Sequence, residues 1–431
     1  MNIDILDYLQ KLEAFFKSFG ALGGIGVICS VLGLACITIQ LRSKEGGRPT
    51  DSEQREKIEK AAREVFGDVS LMERNEEGRT KVSNVMAIAQ FADVRFDAAT
   101  YNIGNFLNDL HDLLSVKKNE PGRIDQLRGK LVHDVSSPKK FEPAYLKPYA
   151  KSLIGMTHFI EGQGLAKSRE ALAWIEPAMK DPSYREAEAE SISNVRGICH
   201  AIQMRDDKLP LDQRVSQALE AHKYFIESIA IRARAAGSPG TIVRYRFFTN
   251  HAEWCIDLYD LIASAPDSQR RLLCNLAMQH ISEISSKSAE LFGLQLFDLK
   301  AFDTSDCQAI LLKSSCTAVA QALNSAESTD VGRSRPAIYF CTVLVGVAIA
   351  HENLQRKEPL QLDLSSTFAA RLSPMGLIES LKRAVDLWKE ETPAPVIAEQ
   401  IQENPITKKW LKDVPDLEVA YQGILQFLLK K

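Results

Sequence analysis

The sequence predicts an all-α protein with one membrane-spanning helix near its start. Apolar residues recur every three or four positions through most of the chain, which is the period of an amphipathic helix. Residues 359–364 are the one short stretch that alternates as a strand does. Residues 21–41 contain no Asp, Glu, Lys, Arg or His, and a helix of that length reaches about 31 Å, the thickness of a bilayer's hydrocarbon core.

The residues around this span predict its orientation. Residues 1–20 contain three acidic side chains and lack the basic start of a cleaved signal peptide. Two lysines precede the span, whereas six basic residues follow it within 42–60, and basic residues stay on the cytoplasmic side. We therefore expect a single-pass protein of the inner (cytoplasmic) membrane whose large C-terminal part is cytoplasmic.

Small residues form a stripe along the span. Its members are Gly23, Gly26, Ser30 and Gly33. Small side chains let membrane helices approach closely, so the stripe predicts self-association and a homo-oligomer. Larger apolar residues continue the stripe into 1–20, a segment that alternatively forms an amphipathic helix lying in the membrane interface.

The remaining chain divides by composition and helical period. Residues 42–50 are polar, contain paired glycines and a proline, and are typical of a linker. The apolar run at 336–350 is too short for the roughly 18 residues of a span and predicts a buried core helix. The predicted segments are an N-terminal amphipathic segment 1–20, a transmembrane helix 21–41, a linker 42–50, a helical domain 51–142, helical repeats 143–292 and a C-terminal helical domain 293–431.

The predicted repeats show a recurring pattern of small residues. In residues 152–182, Gly155 follows Ile154 in the first helix, Ala171 and Ala178 lie seven residues apart in the second, and Pro182 closes the unit. This unit resembles the tetratricopeptide-repeat (TPR) family. The resemblance implies a solenoid of helical hairpins in which small residues let paired helices pack closely.

Two further units are less regular. Residues 189–235 place Val195 and Gly197 near the first signature, and residues 242–263 and 266–291 keep the two-helix form. Gly155 to Gly197 is 42 residues, against 34 in the family, so the resemblance requires inserted turns. The alternative is an irregular helical bundle.

Several functional classes lack their sequence signatures. A formal net charge of −3 does not favour nucleic-acid binding. The eight cysteines include no CxxC pair, the chain has no GxxxxGK[ST] phosphate loop, and His351-Glu352 lacks a second histidine four residues on. We therefore predict no catalytic residue, no cofactor and no metal site. The remaining alternative is an all-helical enzyme whose catalytic residues lie far apart in the sequence and so leave no motif.

One group of residues is a candidate for binding a partner. Its members are Arg232, Arg234, Arg244, Arg246 and His251. Aromatic residues at 247, 248 and 254 follow the arginines, and arginine beside aromatic rings can bind an acidic peptide or a phosphate-bearing ligand. The alternative is a solvated arginine face over a packed aromatic core.

The expected function is that of a membrane-anchored cytoplasmic adaptor or sensor, which binds a protein or peptide partner through a helical-repeat surface. The alternative function is that of an oligomerising membrane-acting effector, as in bacterial defence or toxin systems, triggered through its soluble helical domain. The small-residue stripe motivates the alternative.

Overall fold

The structure, a computed structural model, describes most of the chain beyond residue 50. The described residues are 51–68, 71, 76–91, 99–116, 120–162, 164–184, 190–236, 245–292, 296–297, 306–327, 336–390 and 392–429. The predicted anchor, its small-residue stripe and the linker lie outside them.

The described part is all-α, as predicted. The first seven helices are α1 (Asp51–Asp68), α2 (Glu76–Phe91), α3 (Ile103–Ser115), α4 (Pro121–Ser136), α5 (Leu146–Glu161), α6 (Leu165–Met179) and α7 (Glu190–Met204). The next five are α8 (Leu211–Ala236), α9 (Tyr245–Ala263), α10 (Asp267–Phe292), α11 (Cys307–Glu327) and α12 (Pro336–Gln355). The last five are α13 (Ser366–Arg371), α14 (Pro374–Lys389), α15 (Ala394–Gln402), α16 (Pro405–Trp410) and α17 (Pro415–Leu429), with a 3₁₀ turn at Leu411–Asp413.

Helix starts follow from local side-chain chemistry. Before α3, the Asn102 side chain accepts from the Asn105 backbone N–H while the Asn105 side chain accepts from the Asn102 N–H, a reciprocal capping box. Ser373 and Asn404 cap α14 and α16, each followed by a proline that needs no intrahelical donor. These caps satisfy N–H groups that the first helical turn leaves free.

Two short strands are the only strands in the described part. β1 (Thr100–Tyr101) pairs in parallel with β2 (Lys140–Phe141). Residues 359–364, where the sequence suggested a strand, are irregular instead. Alternation alone does not make a strand when no neighbouring strand supplies hydrogen-bond partners.

Buried apolar side chains form two clusters. The first runs from Ile58 to Cys199, and its centre is a group of fully buried rings in which Phe66 lies 5.3 Å from Phe106 and 5.0 Å from Tyr149. The second runs from Met204 to Leu428. Helix α7 contributes residues to both clusters.

Two glycines mark close helix contacts. A Cβ atom on Gly155 of α5 would lie 2.5 Å from Ile175 Cγ1 and 2.8 Å from the Ala171 carbonyl oxygen of α6. A Cβ atom on Gly197 of α7 would lie 2.4 Å from the Phe225 ring of α8 and 3.0 Å from the carbonyl oxygen of Ala221. In both pairs, therefore, the glycine meets the backbone of an alanine and the large side chain four residues after it.

The helices that carry these glycines are covered on their other sides. Arg128 of α4 donates to the Thr157 hydroxyl of α5 at 3.1 Å. Asn250 of α9 donates to the Asn194 side chain of α7 at 2.7 Å. Further along the chain the hairpin order is lost, because α9 packs mainly against α11 and only slightly against α10. The predicted third pair, 242–263 with 266–291, thus exists as two helices that do not pair chiefly with each other.

Helix α12 is the core helix predicted at 336–350. Within the described residues it is the one helix long and apolar enough to cross a membrane, yet 61% of its most apolar window is buried inside the protein. Gly346 lets α14 approach, since a Cβ atom there would lie 2.4 Å from Leu377. A core helix of a globular protein gives the same pattern.

A polar seam attaches the C-terminal helices to α9. Lys409 of α16 donates to both carboxylate oxygens of Asp260 at 2.7 Å, and Asp260 is 4% exposed. Next to it, the Tyr259 hydroxyl donates to Glu352 of α12 at 2.7 Å. These contacts join residues far apart in sequence, so they fix how α9, α12 and α16 pack.

Candidate functional site

The structure places only part of the predicted partner-binding group. Arg232 and Arg234 lie in the last turns of α8, and Arg246 lies at the start of α9. Their side chains, and all of Arg244, lie outside the described residues. Helices α8 and α9 pack against each other, and the backbone positions of Arg232, Arg234 and Arg246 lie at the end of α8 and the start of α9.

His251 does not suit the role predicted for it. The side chain is 1% exposed and points into the second core cluster. Phe247, Phe248 and Trp254 are buried with it, which matches the packed aromatic core considered as the alternative. A side chain at this depth cannot reach a ligand on the surface.

Instead, His251 belongs to a chain of three histidines, one from each of three consecutive helices. His222 lies on α8, His251 on α9 and His280 on α10. His222 Nδ1 is 3.0 Å from His280 Nε2, and His222 Nε2 is 2.9 Å from His251 Nδ1. We call these three residues the histidine chain.

The inner end of the histidine chain fixes the direction of its hydrogen bonds. The Ser314 hydroxyl of α11 donates to the Leu296 carbonyl at 2.7 Å, because a carbonyl can only accept. Ser314 Oγ lies 2.9 Å from His251 Nε2. With its proton already donated, the hydroxyl accepts from His251, so His251 carries its proton on Nε2.

The two histidine–histidine contacts have the same donor–acceptor order. His251 Nδ1 is then an acceptor, so His222 donates from Nε2. His222 Nδ1 is in turn an acceptor, so His280 donates from Nε2. All three neutral rings therefore have the same tautomer, and His280 Nδ1 is the one ring nitrogen that the chain leaves open to a proton.

Aromatic stacking sets the position of the rings. The His222 and Trp254 rings are 3.8 Å apart and nearly parallel at 11°, and Trp254 Nε1 donates to the Ala218 carbonyl at 2.6 Å. Phe297 meets the His251 ring edge-on at 5.1 Å. This packing excludes water from His222 and His251, while His280 is partly exposed.

Burial keeps the histidine chain neutral. It lowers the pKa of His251 to about 3 and, at the more open end, that of His280 to about 4. Burial, together with repulsion from the two neighbouring rings, lowers the pKa of His222 well below its ordinary range. The three histidine rings are therefore uncharged near neutral pH.

Neither metal binding nor nucleophilic chemistry fits this arrangement. Across the part of the chain that the structure describes, no three His, Cys, Asp or Glu side chains converge as metal ligands. His222 uses its two nitrogens on different partners, so the three rings share no common centre. Cys255 lies 3.7 Å from His251 Nε2, but burial raises the pKa of its thiol and disfavours the reactive thiolate. The arrangement can take up a proton at its outer end.

A regular spacing in the sequence accompanies the histidine chain. His222 and His251 are 29 residues apart, and His222 and His280 are 58 apart, twice that distance. A search for ligand pairs within one helix does not detect this period, because it spans a whole helix and its connection.

Comparison with protein-family models, with curated proteins and with solved structures gives no match for this chain.

Proposed function

We propose that the protein is a membrane-tethered adaptor or sensor whose cytoplasmic helical part binds a protein or peptide partner. The apolar run at 21–41 supports the tether. The all-helical architecture supports the binding role, since stacked helix pairs serve as extended binding surfaces.

One observation carries the proposal of TPR-like repeats. Gly155 and Gly197 occupy equivalent positions in two successive helix pairs, and each meets an alanine backbone and a large side chain one turn further on. Chance glycines in an irregular bundle would not be expected to repeat all three features. The matched contacts favour two copies of one structural unit.

The surface for a partner differs from that of a regular repeat array. Helices α5 and α7 carry the glycines, and both are buried along most of their length. A partner would therefore meet other faces. We propose the arginine-rich end of α8 and α9, where bidentate guanidinium groups suit an acidic or phosphate-bearing peptide.

Affinity capture of the full-length, detergent-solubilised protein tests this proposal. The bait would be the wild-type chain and the charge reversal Arg244→Glu/Arg246→Glu, with captured proteins quantified by mass spectrometry. Lys140→Glu/Lys180→Glu is the matched control, because these lysines are 75% and 79% exposed and lie outside the arginine group.

We expect a partner that the wild-type bait and the lysine control retain and that the arginine variant does not. A partner that binds through phosphate should also be lost after phosphatase treatment. Equal retention by all three baits would reject the arginine site. A wild-type bait that retains nothing above an unrelated membrane protein would reject the adaptor function.

A further inference from the structure

Helix α10 is attached to the core along one face. Among its described side chains, the buried apolar ones are Leu273, Ala277, Ile281 and Ile284, and the partly buried Cys274 and Met278 pack beside them. Leu272, directly beside this stripe, stays 60% exposed. The hydrogen bond from His280 to His222 joins this face to a fully buried partner.

The histidine chain has room for one proton beyond its neutral state. Each of the two histidine–histidine contacts contains one hydrogen, and the contact with Ser314 contains one more, donated by His251. Only the outer nitrogen, His280 Nδ1, can accept another. Because the ring is largely buried, the resulting charge is poorly solvated there, so acid favours a state in which one contact has broken and the charged ring reaches water.

The contact that breaks is the outermost one. His251 and His222 are enclosed by Trp254, Phe297 and α11, whereas His280 is partly exposed, on α10. Separating His280 from His222 gives His280 access to water, where its charge is solvated. Breaking the inner contacts would leave a charge buried.

The charged groups near His280 form two ion pairs. On α10 itself, Glu283 pairs with Lys287. From α8, Glu220 pairs with Lys223 at 3.6 Å. Burial lowers the pKa of His280 to about 4, and this effect outweighs Glu283 and Glu220, which raise the pKa, while Lys287 lowers it further. The groups that face the inner rings, Cys255 and Ser314, are uncharged.

We infer that the histidine chain makes the attachment of α10 proton-dependent: neutral rings hold α10 on α8, and acid releases it. Release adds the apolar stripe of α10 to the surface on which Leu272 is already exposed. This inference does not depend on the proposed partner-binding role.

Histidine NMR on the wild-type protein tests the tautomer argument. The full-length chain would be labelled with ¹⁵N in its histidines and titrated from pH 7.5 to 4.5. We expect three histidines with the proton on Nε2, of which at most one becomes cationic while the protein stays folded. A chain histidine protonated on Nδ1 alone, or two cationic chain histidines in the folded state, would overturn the inference.

Hydrogen exchange tests the release of α10. Once His280 leaves the site with an ordinary pKa near 6.5, the opening equilibrium at pH 5 should rise about 30-fold over that at neutral pH. Peptides from 267–292 should therefore exchange about 30-fold faster at pH 5, after correction for the intrinsic rate, and more than peptides from α11 or α12.

Two variants separate proton uptake from general acid sensitivity. His222→Gln/His251→Gln/His280→Gln keeps donors and acceptors but cannot titrate, so exchange in α10 should lose its acid response. If this variant does not fold, His280→Gln alone should still reduce the response. His133→Gln removes an exposed histidine of α4 and should behave as wild type. An acid response equal in wild type and glutamine variants, or none in wild type, would refute proton-dependent release.

Discussion

Adding one methyl group at Gly155 or Gly197 should destabilise the protein, whereas the same change at Gly129 should stabilise it. All three glycines lie in the middle of a helix, where alanine is favoured over glycine by about 1 kcal/mol. They differ in their surroundings. A Cβ atom on Gly129 meets nothing within 4 Å, but one on Gly155 or Gly197 meets a side chain at 2.5 Å or less and a backbone oxygen at 3.0 Å or less.

The clash sets the sign of the change. A backbone oxygen cannot rotate away, and Ile175 and Phe225 are themselves buried, so the paired helices must separate. Overpacking of this kind costs about 1–3 kcal/mol. With the helix-propensity gain of about 1 kcal/mol subtracted, Gly155→Ala and Gly197→Ala should each lower the free energy of unfolding by up to about 2 kcal/mol, while Gly129→Ala should raise it by about 0.5–1 kcal/mol.

Urea denaturation of the full-length protein, followed by circular dichroism, measures these differences as shifts of the midpoint. The comparison is internal, since each variant adds the same methyl group to the same kind of position. A stabilised Gly155→Ala or Gly197→Ala, with a shift like that of Gly129→Ala, would refute the close helix contact and remove the main support for matched repeat units.

Three further predictions concern the seam, the histidine chain and the anchor. Lys409→Met should lower the free energy of unfolding by about 1–3 kcal/mol, because it leaves a buried aspartate without its cation. The control Lys408→Met removes an exposed ion pair and should change stability by less than about 0.5 kcal/mol. Thermal melting distinguishes the two variants. At pH 5, His280→Gln should reduce the acid-induced loss of unfolding free energy by about 2 kcal/mol. A histidine with a lowered pKa stays neutral in the folded protein but becomes charged in the unfolded one, so stability falls as the pH drops from 6.5 towards 4. Denaturation at pH 7.5 and pH 5 measures this loss, and an equal loss in wild type and variant would contradict the prediction. In the anchor, Gly26→Leu/Gly33→Leu should weaken self-association in a membrane two-hybrid assay on residues 1–48, and signals equal to wild type would leave the segment as a simple tether.

Local sequence patterns predicted the helices well. The apolar run at 336–350 corresponds to the buried helix α12, and within α3 the buried apolar residues from Ile103 to Leu114 follow the helical period. Both rest on interactions within a few residues, namely amphipathic periodicity and termini marked by proline, glycine or a capping side chain. The strand suggested at 359–364 failed because a strand needs a partner strand, which no local pattern supplies.

Contacts between distant helices were predicted only where small residues indicated them. Gly155 and Gly197 were chosen from the sequence, and both lie at close helix contacts. By contrast, the packing of α9 against α11, and the seam between Asp260 and Lys409, join segments whose separation in sequence is not encoded by any short motif. Such contacts depend on the whole arrangement of helices.

The histidine chain shows why a site of this kind escapes a search by motif. A metal or catalytic motif places its residues on one face of one helix, where a spacing of three or four residues is visible. Here each histidine comes from a different helix, and its partner is another histidine rather than a shared ligand. Histidine suits these positions because one flat ring can both donate and accept, and the His222 ring also stacks on Trp254. The 29-residue period becomes meaningful only with the fold, because α8, α9 and α10 each contribute one ring and the His222 ring contacts both of the others.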